Sequence, residues 1–267
     1  MLRARVLTAA IAIPILIWMI FSASPSVYNT VVLLCTFLSL REMAAMQRVA
    51  FSGSTLLTTC GGMVIAVSML IDHSGAAVSA GLVIALILTL LGTLVTARDM
   101  EQSVIGAGQV LFAAVYGGLL LPHLIWLRAL SGGAALVFFV LASVMASDAG
   151  GYFGGRAFGR RKLWPTVSPN KTVEGAIGSV FGAVVVGVLC NVIFVDRFAL
   201  SESVLVTAAI SVLAQAGDLA ESMIKRAYHA KDAGWILPGH GGVLDRTDSM
   251  VLPIVFIYYY ASYAYYA

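Results

Sequence analysis

The chain has 267 residues, of which 60% are hydrophobic and 11% charged, with a formal net charge of +3. Soluble domains carry roughly a quarter charged residues, so this composition excludes a fold that dresses its whole surface for water, and no nucleic-acid partner is expected. Cys35, Cys60 and Cys190 are odd in number and lie in apolar segments, so they give neither a disulfide framework nor a metal spacing.

Apolar runs of about 20 residues recur along the whole length, each long enough to cross a bilayer as a helix. The first, 6–22, follows Arg3 and Arg5. Ser22, Ala23 and Ser24 after it also fit a cleaved signal peptide. The rest of the chain is itself membrane-like, so a first spanning helix is the simpler reading. The others are 27–46, 54–71, 76–96, 104–127, 133–153, 172–195, 203–226 and 249–265. The fold class is therefore an all-α polytopic integral membrane protein with about nine transmembrane helices. Short turns, such as Asp72-His73-Ser74-Gly75 and Asp196-Arg197, join the runs. One membrane domain over 1–267 follows, with 1–130 as helical scaffold and 131–267 carrying the active site.

Orientation comes from the loop cations, which favour the cytoplasmic side. With the N-terminus cytoplasmic, 14 of the 16 Lys and Arg residues fall inside, and only Arg128 and Arg197 fall outside. Two cytoplasmic stretches, about 154–171 and 225–248, are dense in charge, Gly and Pro in a chain that otherwise avoids charge. Charged loops on a rigid scaffold are where function concentrates.

Asp218, Glu221, Ser222 and Lys225 sit at i, i+3, i+4 and i+7, on one helix face. An ionisable side chain within a spanning helix costs about 2.5–3.5 kcal/mol, so this stripe needs partners. A Glu221–Lys225 ion pair would neutralise itself and leave Asp218 unexplained. The next stretch, Lys231 to Asp248, holds Asp232, Gly239, His240, Gly241, Gly242, Asp245 and Arg246. Its glycines either open backbone conformations closed to other residues and let N–H groups approach an anion, or simply make a flexible turn. Its carboxylates suit a hard cation held together with substrate phosphates.

Further back, Asp148 lies near the inner end of the sixth run, as a metal-ligand candidate or as a helix-end acid facing water. Gly151 and Gly155 either serve the site or let two helices approach. The basic run from Arg156 to Lys162 is either positive-inside bias or a patch for anionic lipid. Ser168, Lys171 and Glu174, at three-residue spacing, are either site residues or a helix cap with a surface pair. Arg41 and Glu42, at the inner end of the second run, pair with each other or join the site. An inward-facing set of acids, bases and Gly-rich backbone suits metal-assisted phosphoryl or nucleotidyl transfer to a lipid head group.

Ser222-Met223-Ile224-Lys225-Arg226, Lys231-Asp232, Pro238-Gly239-His240-Gly241-Gly242 and Asp245-Arg246-Thr247-Asp248, in this order and spacing, resemble the signature of the phosphatidate cytidylyltransferases, or CDP-diacylglycerol synthases. Ser168-Pro169-Asn170-Lys171-Thr172-Val173-Glu174-Gly175 and Gly217-Asp218 look like the same family, and the resemblance is clear over about 145–250. One departure is Gly150, where the family pattern has Ala. The resemblance implies a dimeric bacterial inner-membrane enzyme with its site on the cytoplasmic face. It would condense CTP with phosphatidic acid, release pyrophosphate and require Mg²⁺, with room for a second cation. Asp218 and Asp245 are then the expected metal ligands, bridged by a loop that folds back, with Glu221 and Asp148 as further candidates. Lys171, Lys225, Arg226 and Lys231 would bind phosphates. Ser168, Glu174, Ser222, Asp232, Gly239, His240, Gly241, Gly242, Arg246 and Asp248 complete the expected substrate site. Two rivals are a CTP-dependent lipid-alcohol kinase, which would move the γ-phosphoryl group, and a transporter, whose charges would cluster near the bilayer midplane.

Overall fold

A computed structural model describes residues 13–47, 49, 53–72, 75–234 and 241–265. After helical residues 13–21, the helices are α1 (Pro25–Met46), α2 (Ser54–Ser68), α3 (Ala76–Thr96), α4 (Met100–Val115), α5 (His123–Ala129), α6 (Gly133–Phe158), α7 (Val173–Cys190), α8 (Leu200–Ala227) and α9 (Leu244–Tyr265). Short π-helical segments, Tyr116–Leu120 and Asn191–Val195, extend α4 and α7. Among the described residues, six segments are long and apolar enough to cross a membrane: Pro25–Met46, Ala76–Thr96, Met100–Ala129, Gly133–Phe158, Val173–Val195 and Leu200–Ala227. Their outward faces carry large apolar side chains such as Leu94, Val95, Ile177 and Phe181, the pattern of helices solvated by lipid.

Among the described residues the regular structure is helical apart from one hairpin. Lys162–Trp164 (β1) and Ser168–Thr172 (β2) pair antiparallel in a small hairpin. The expected irregular stretch at 154–171 is therefore corrected on two counts. Helix α6 runs on to Phe158, and the remainder is largely hairpin rather than loop.

The chain forms two compact units. One comprises Ser24–Trp126 and Ala227–Thr247, and the other comprises the residues up to Ala23, Leu127–Arg226 and Asp248 onward. In the first unit, Ser24 caps α1 and Pro25 opens it, since proline lacks the N–H that a first turn cannot use. The Trp126 indole N–H donates to the Met69 carbonyl at 2.7 Å, and Gln47 donates to the Gln109 carbonyl at 2.8 Å. In this way buried polar groups find partners within an apolar bundle.

The second unit is organised by a glycine seam between α6 and α7. A Cβ at Gly178 would lie 2.6 Å from the Gly150 carbonyl oxygen, and one at Gly154 would lie 3.2 Å from the Gly178 Cα. Only backbone fits there, so the helices approach as small-residue interfaces do in membranes. Gly175 makes the same close approach to Gly151 and Gly155, which also line the cavity described below, so both readings of these two glycines hold. Helix α8 joins the pair through Ser211, whose hydroxyl shares a buried 2.8 Å hydrogen bond with Ser147 of α6. At its other end, Asn191 closes the turn to α8 by bonding both the N–H and the carbonyl of Phe198.

Candidate active site

The second unit contains a cavity of about 610 Å³ whose wall includes Asp148, Arg156, Lys171, Gln215 and Asp218. They reach it from three parts of the fold. Asp148 and Arg156 project from α6 two turns apart. Lys171 is the penultimate residue of strand β2, and Gln215 and Asp218 lie one turn apart on α8. Asp148 is exposed, as the alternative reading expected, but sits ten residues before the end of α6 rather than at it. The glycine seam is what brings these elements together, because bulkier side chains would hold α6 and α7 apart.

The Lys171 ammonium meets the Asp218 carboxylate at 2.7 Å, with the two side chains 26% and 33% exposed. The Ser222 hydroxyl donates to the other Asp218 oxygen at 3.4 Å. A pair this open to water contributes no more than about 1 kcal/mol to stability. What it does is place a cation and an acceptor at one point of the cavity wall. Arg156 donates to the Tyr152 hydroxyl at 2.9 Å, which steers the guanidinium along the helix surface.

Glu221 takes a different position. Its carboxylate is fully buried and bound to Lys225 one turn along α8. The pair expected from the i,i+4 spacing forms, and neither residue lines the cavity. Ser168 and Glu174 also stand outside the lining. Thr172, not Ser168, caps α7, accepting from the Gly175 N–H at 3.1 Å. Glu174 accepts from the Arg160 N–H at 2.9 Å and from the Arg161 N–H, fixing the entry of the hairpin. Ser168 and Lys171 belong to a strand, so the helix-cap reading of that motif is corrected. Arg226 is exposed, and the Asp248 carboxylate accepts from the Ser249 N–H at 2.7 Å. The backbone of Asp248 packs directly on Gly217, where a Cβ would strike its carbonyl.

The remaining expected residues belong to the first unit. Asp245 accepts from the Gly242 N–H at 2.8 Å and from the Ala233 N–H at 3.0 Å, so its carboxylate clasps both ends of the loop. Gly241 adopts φ +80°, a conformation that a side chain would strain. Lys231, Asp232 and Arg246 are exposed. Gly239 and His240 lie outside the described residues.

Arg156 and Gln215 were not among the expected site residues. Gln215 carried a readable signal, since it lies three residues before Asp218 on the same helix face. Arg156 was hidden within a basic run that orientation already explained.

Among the described residues, no group of three or more His, Cys, Asp or Glu side chains is placed to hold a metal by itself. Asp148 and Asp218 nonetheless present hard oxygen donors to one cavity. A cation such as Mg²⁺ is commonly held by one or two carboxylates, with waters and substrate phosphates completing its shell. The donor set therefore fits a cation that arrives with a phosphorylated substrate.

A cavity lined by two carboxylates and two cations, in a chain with six helices of membrane length among the described residues, fits a membrane protein that handles a charged group. The chain belongs to the cytidylyltransferase family, whose sequence model matches residues 3–264. It is 35% identical over 269 aligned positions to the phosphatidate cytidylyltransferase of Staphylococcus saprophyticus, covering 95% of this chain and 97% of that one. It is 33% identical over 264 positions to the protein of the same name from Brucella suis, covering 98% and 93%. A stretch of 153 residues is 40% identical to the phosphatidate cytidylyltransferase of Bacillus subtilis and spans 57% of each chain.

Proposed function

We propose that this protein is a phosphatidate cytidylyltransferase, converting CTP and phosphatidic acid to CDP-diacylglycerol and pyrophosphate. The observation that carries this reading is the meeting of Asp218 and Lys171 on a cavity wall that also holds Asp148 and Arg156. In the reaction, a phosphate oxygen of phosphatidate attacks the α-phosphorus of CTP. The new P–O bond forms as the bond to the bridging oxygen breaks, and pyrophosphate leaves with that electron pair. Phosphatidate is already ionised, so the chain need not supply a strong general base. Lys171 and Arg156 would hold phosphate oxygens by charge-assisted hydrogen bonds and orient the two phosphates in line. Asp148 and Asp218 would hold Mg²⁺, which when bound supplies charge neutralisation to the phosphates.

The test is to incubate the purified protein with labelled CTP and phosphatidic acid. CDP-lipid and pyrophosphate are expected. If diacylglycerol and CTP instead give lipid phosphate and CDP, the chain is a lipid kinase and the proposal is wrong. Within the same reading, Lys171→Ala is expected to lower kcat/KM by at least about tenfold, the size of one lost charge-assisted contact. The protein should stay folded, because its ion pair is largely solvent-exposed. Unchanged kinetics would return Lys171 to the background of loop cations.

The reading includes about nine spans with a cytoplasmic N-terminus, a site on the cytoplasmic face of a bacterial inner membrane, and a homodimer. Orientation is checked in a background without Cys35, Cys60 and Cys190. Cysteine at Arg161 should react with an impermeant reagent only from the cytoplasmic side, and cysteine at Ser131 only from the opposite side. Reaction of both from one side would overturn the arrangement.

A further inference from the structure

Glu42 lies near the end of α1, and its carboxylate is buried, with 5% of the residue exposed. It accepts from the Val243 N–H at 3.0 Å with one oxygen and from the Leu244 N–H at 2.8 Å with the other. These two amides open α9, and the first N–H groups of a helix have no partner within it. A carboxylate there satisfies both donors and sits at the positive end of the helix dipole. A residue 201 positions earlier in the chain thus caps the helix.

The glycines nearby are fitted to the same group. A Cβ at Gly234 would lie 2.5 Å from a Glu42 oxygen, and one at Gly242 would lie 2.5 Å from the other. The described stretches on either side therefore pack their backbone against Glu42 at Gly234 and Gly242, with no room for side chains at those two positions. Asp245 holds the same loop from its other side through Ala233 and Gly242. Between them the two carboxylates engage four backbone N–H groups, those of Ala233, Gly242, Val243 and Leu244.

We infer that Glu42 is a positioning residue for the reaction, holding the stretches 231–234 and 241–246 in the shape that presents Lys231, Asp232, Asp245 and Arg246. It acts through the loop and touches no reacting atom. Its contribution to turnover rests on the function proposed above, while its grip on the loop does not.

Two variants test it from opposite sides. Glu42→Gln keeps the shape but leaves one acceptor oxygen for two amides and turns an NH₂ toward one of them. Gly234→Ala keeps Glu42 and pushes its carboxylate off the amides. Site-resolved hydrogen exchange in detergent is expected to quicken at Val243 and Leu244 by about tenfold or more in both, the size of one lost hydrogen bond. Exchange along the α6–α7 seam should stay as in wild type. kcat should fall by at least about tenfold, with a smaller change in KM.

Unchanged exchange at Val243 and Leu244 would overturn the proposal, as would quickened exchange with kcat within about twofold of wild type. Quickened exchange throughout the chain in both variants would also overturn it, making Glu42 a general fold residue. If Glu42→Gln alone unfolds, Gly234→Ala decides. A wild-type protein that forms no CDP-lipid would instead sink the proposed function and leave the exchange result standing.

Discussion

Asp218→Asn is expected to lower turnover of CTP and phosphatidate by at least about a hundredfold while leaving a folded, membrane-inserted protein. The size follows from losing about 3 kcal/mol of charge stabilisation where phosphate charge builds up. Asn matches the carboxylate in shape and can still accept from Ser222, which donates at 3.4 Å. It cannot pair its charge with Lys171, which meets Asp218 at 2.7 Å, and it is a poor ligand for a hard cation. The fold should tolerate the change, since a pair this exposed adds little stability. Activity measured against Mg²⁺ concentration separates the roles. A carboxylate that holds the cation gives a variant whose residual activity needs much more Mg²⁺. A carboxylate that only sets the position of Lys171 gives a loss with an unshifted Mg²⁺ midpoint. Near-normal turnover with the same Mg²⁺ dependence would remove Asp218 from the site.

The spanning helices were legible because hydrocarbon imposes a simple rule. Every backbone polar group must be satisfied within a helix, and side chains facing lipid must be apolar. The runs 27–46, 76–96 and 203–226 accordingly correspond to α1, α3 and α8 with shifts of a few residues at most. The rule lapses outside the membrane, and there the reading failed. Helix α6 keeps its hydrogen bonds through Gly154, Gly155 and Arg156 to Phe158, so the apolar run at 133–153 underestimates it. The hairpin at 162–172 is mostly polar and exposed, with no alternation to betray a strand. Glycines at 150–155 read alike whether they line a site or admit a helix, and here Gly178 and Gly175 lie opposite them while Gly151 and Gly155 also face the cavity. The Glu221–Lys225 pair was visible from spacing alone, whereas the link from Glu42 to Val243 and Leu244 has no local pattern at all.

Asp245→Asn is the second substitution expected to come close to abolishing turnover, again by at least about a hundredfold. The family resemblance implies a metal-ligand role for Asp245, and the structure gives its carboxylate a task of its own. One oxygen accepts from Gly242 at 2.8 Å, and both accept from Ala233, at 3.1 and 3.0 Å. An Asn oxygen in the place of the one that serves both Gly242 and Ala233 keeps an acceptor for each, but its NH₂ then faces the Ala233 N–H across the 3.1 Å contact, which weakens the clasp at that end. A buried or half-buried donor left without a partner costs about 1–3 kcal/mol, enough to free a loop without unfolding the helices around it. The two tasks predict different companions to the lost activity. Release of the clasp quickens hydrogen exchange at Ala233 and Gly242 and leaves the Mg²⁺ midpoint where it was. Loss of a ligand raises that midpoint, because an amide oxygen holds a hard cation less tightly than a carboxylate. Both changes together would mark Asp245 as the ligand of a second cation, since a carboxylate that accepts two backbone N–H groups still has lone pairs to offer. Quickened exchange with an unmoved Mg²⁺ midpoint would confine Asp245 to holding the loop. A variant with near-normal turnover would dismiss both roles at once.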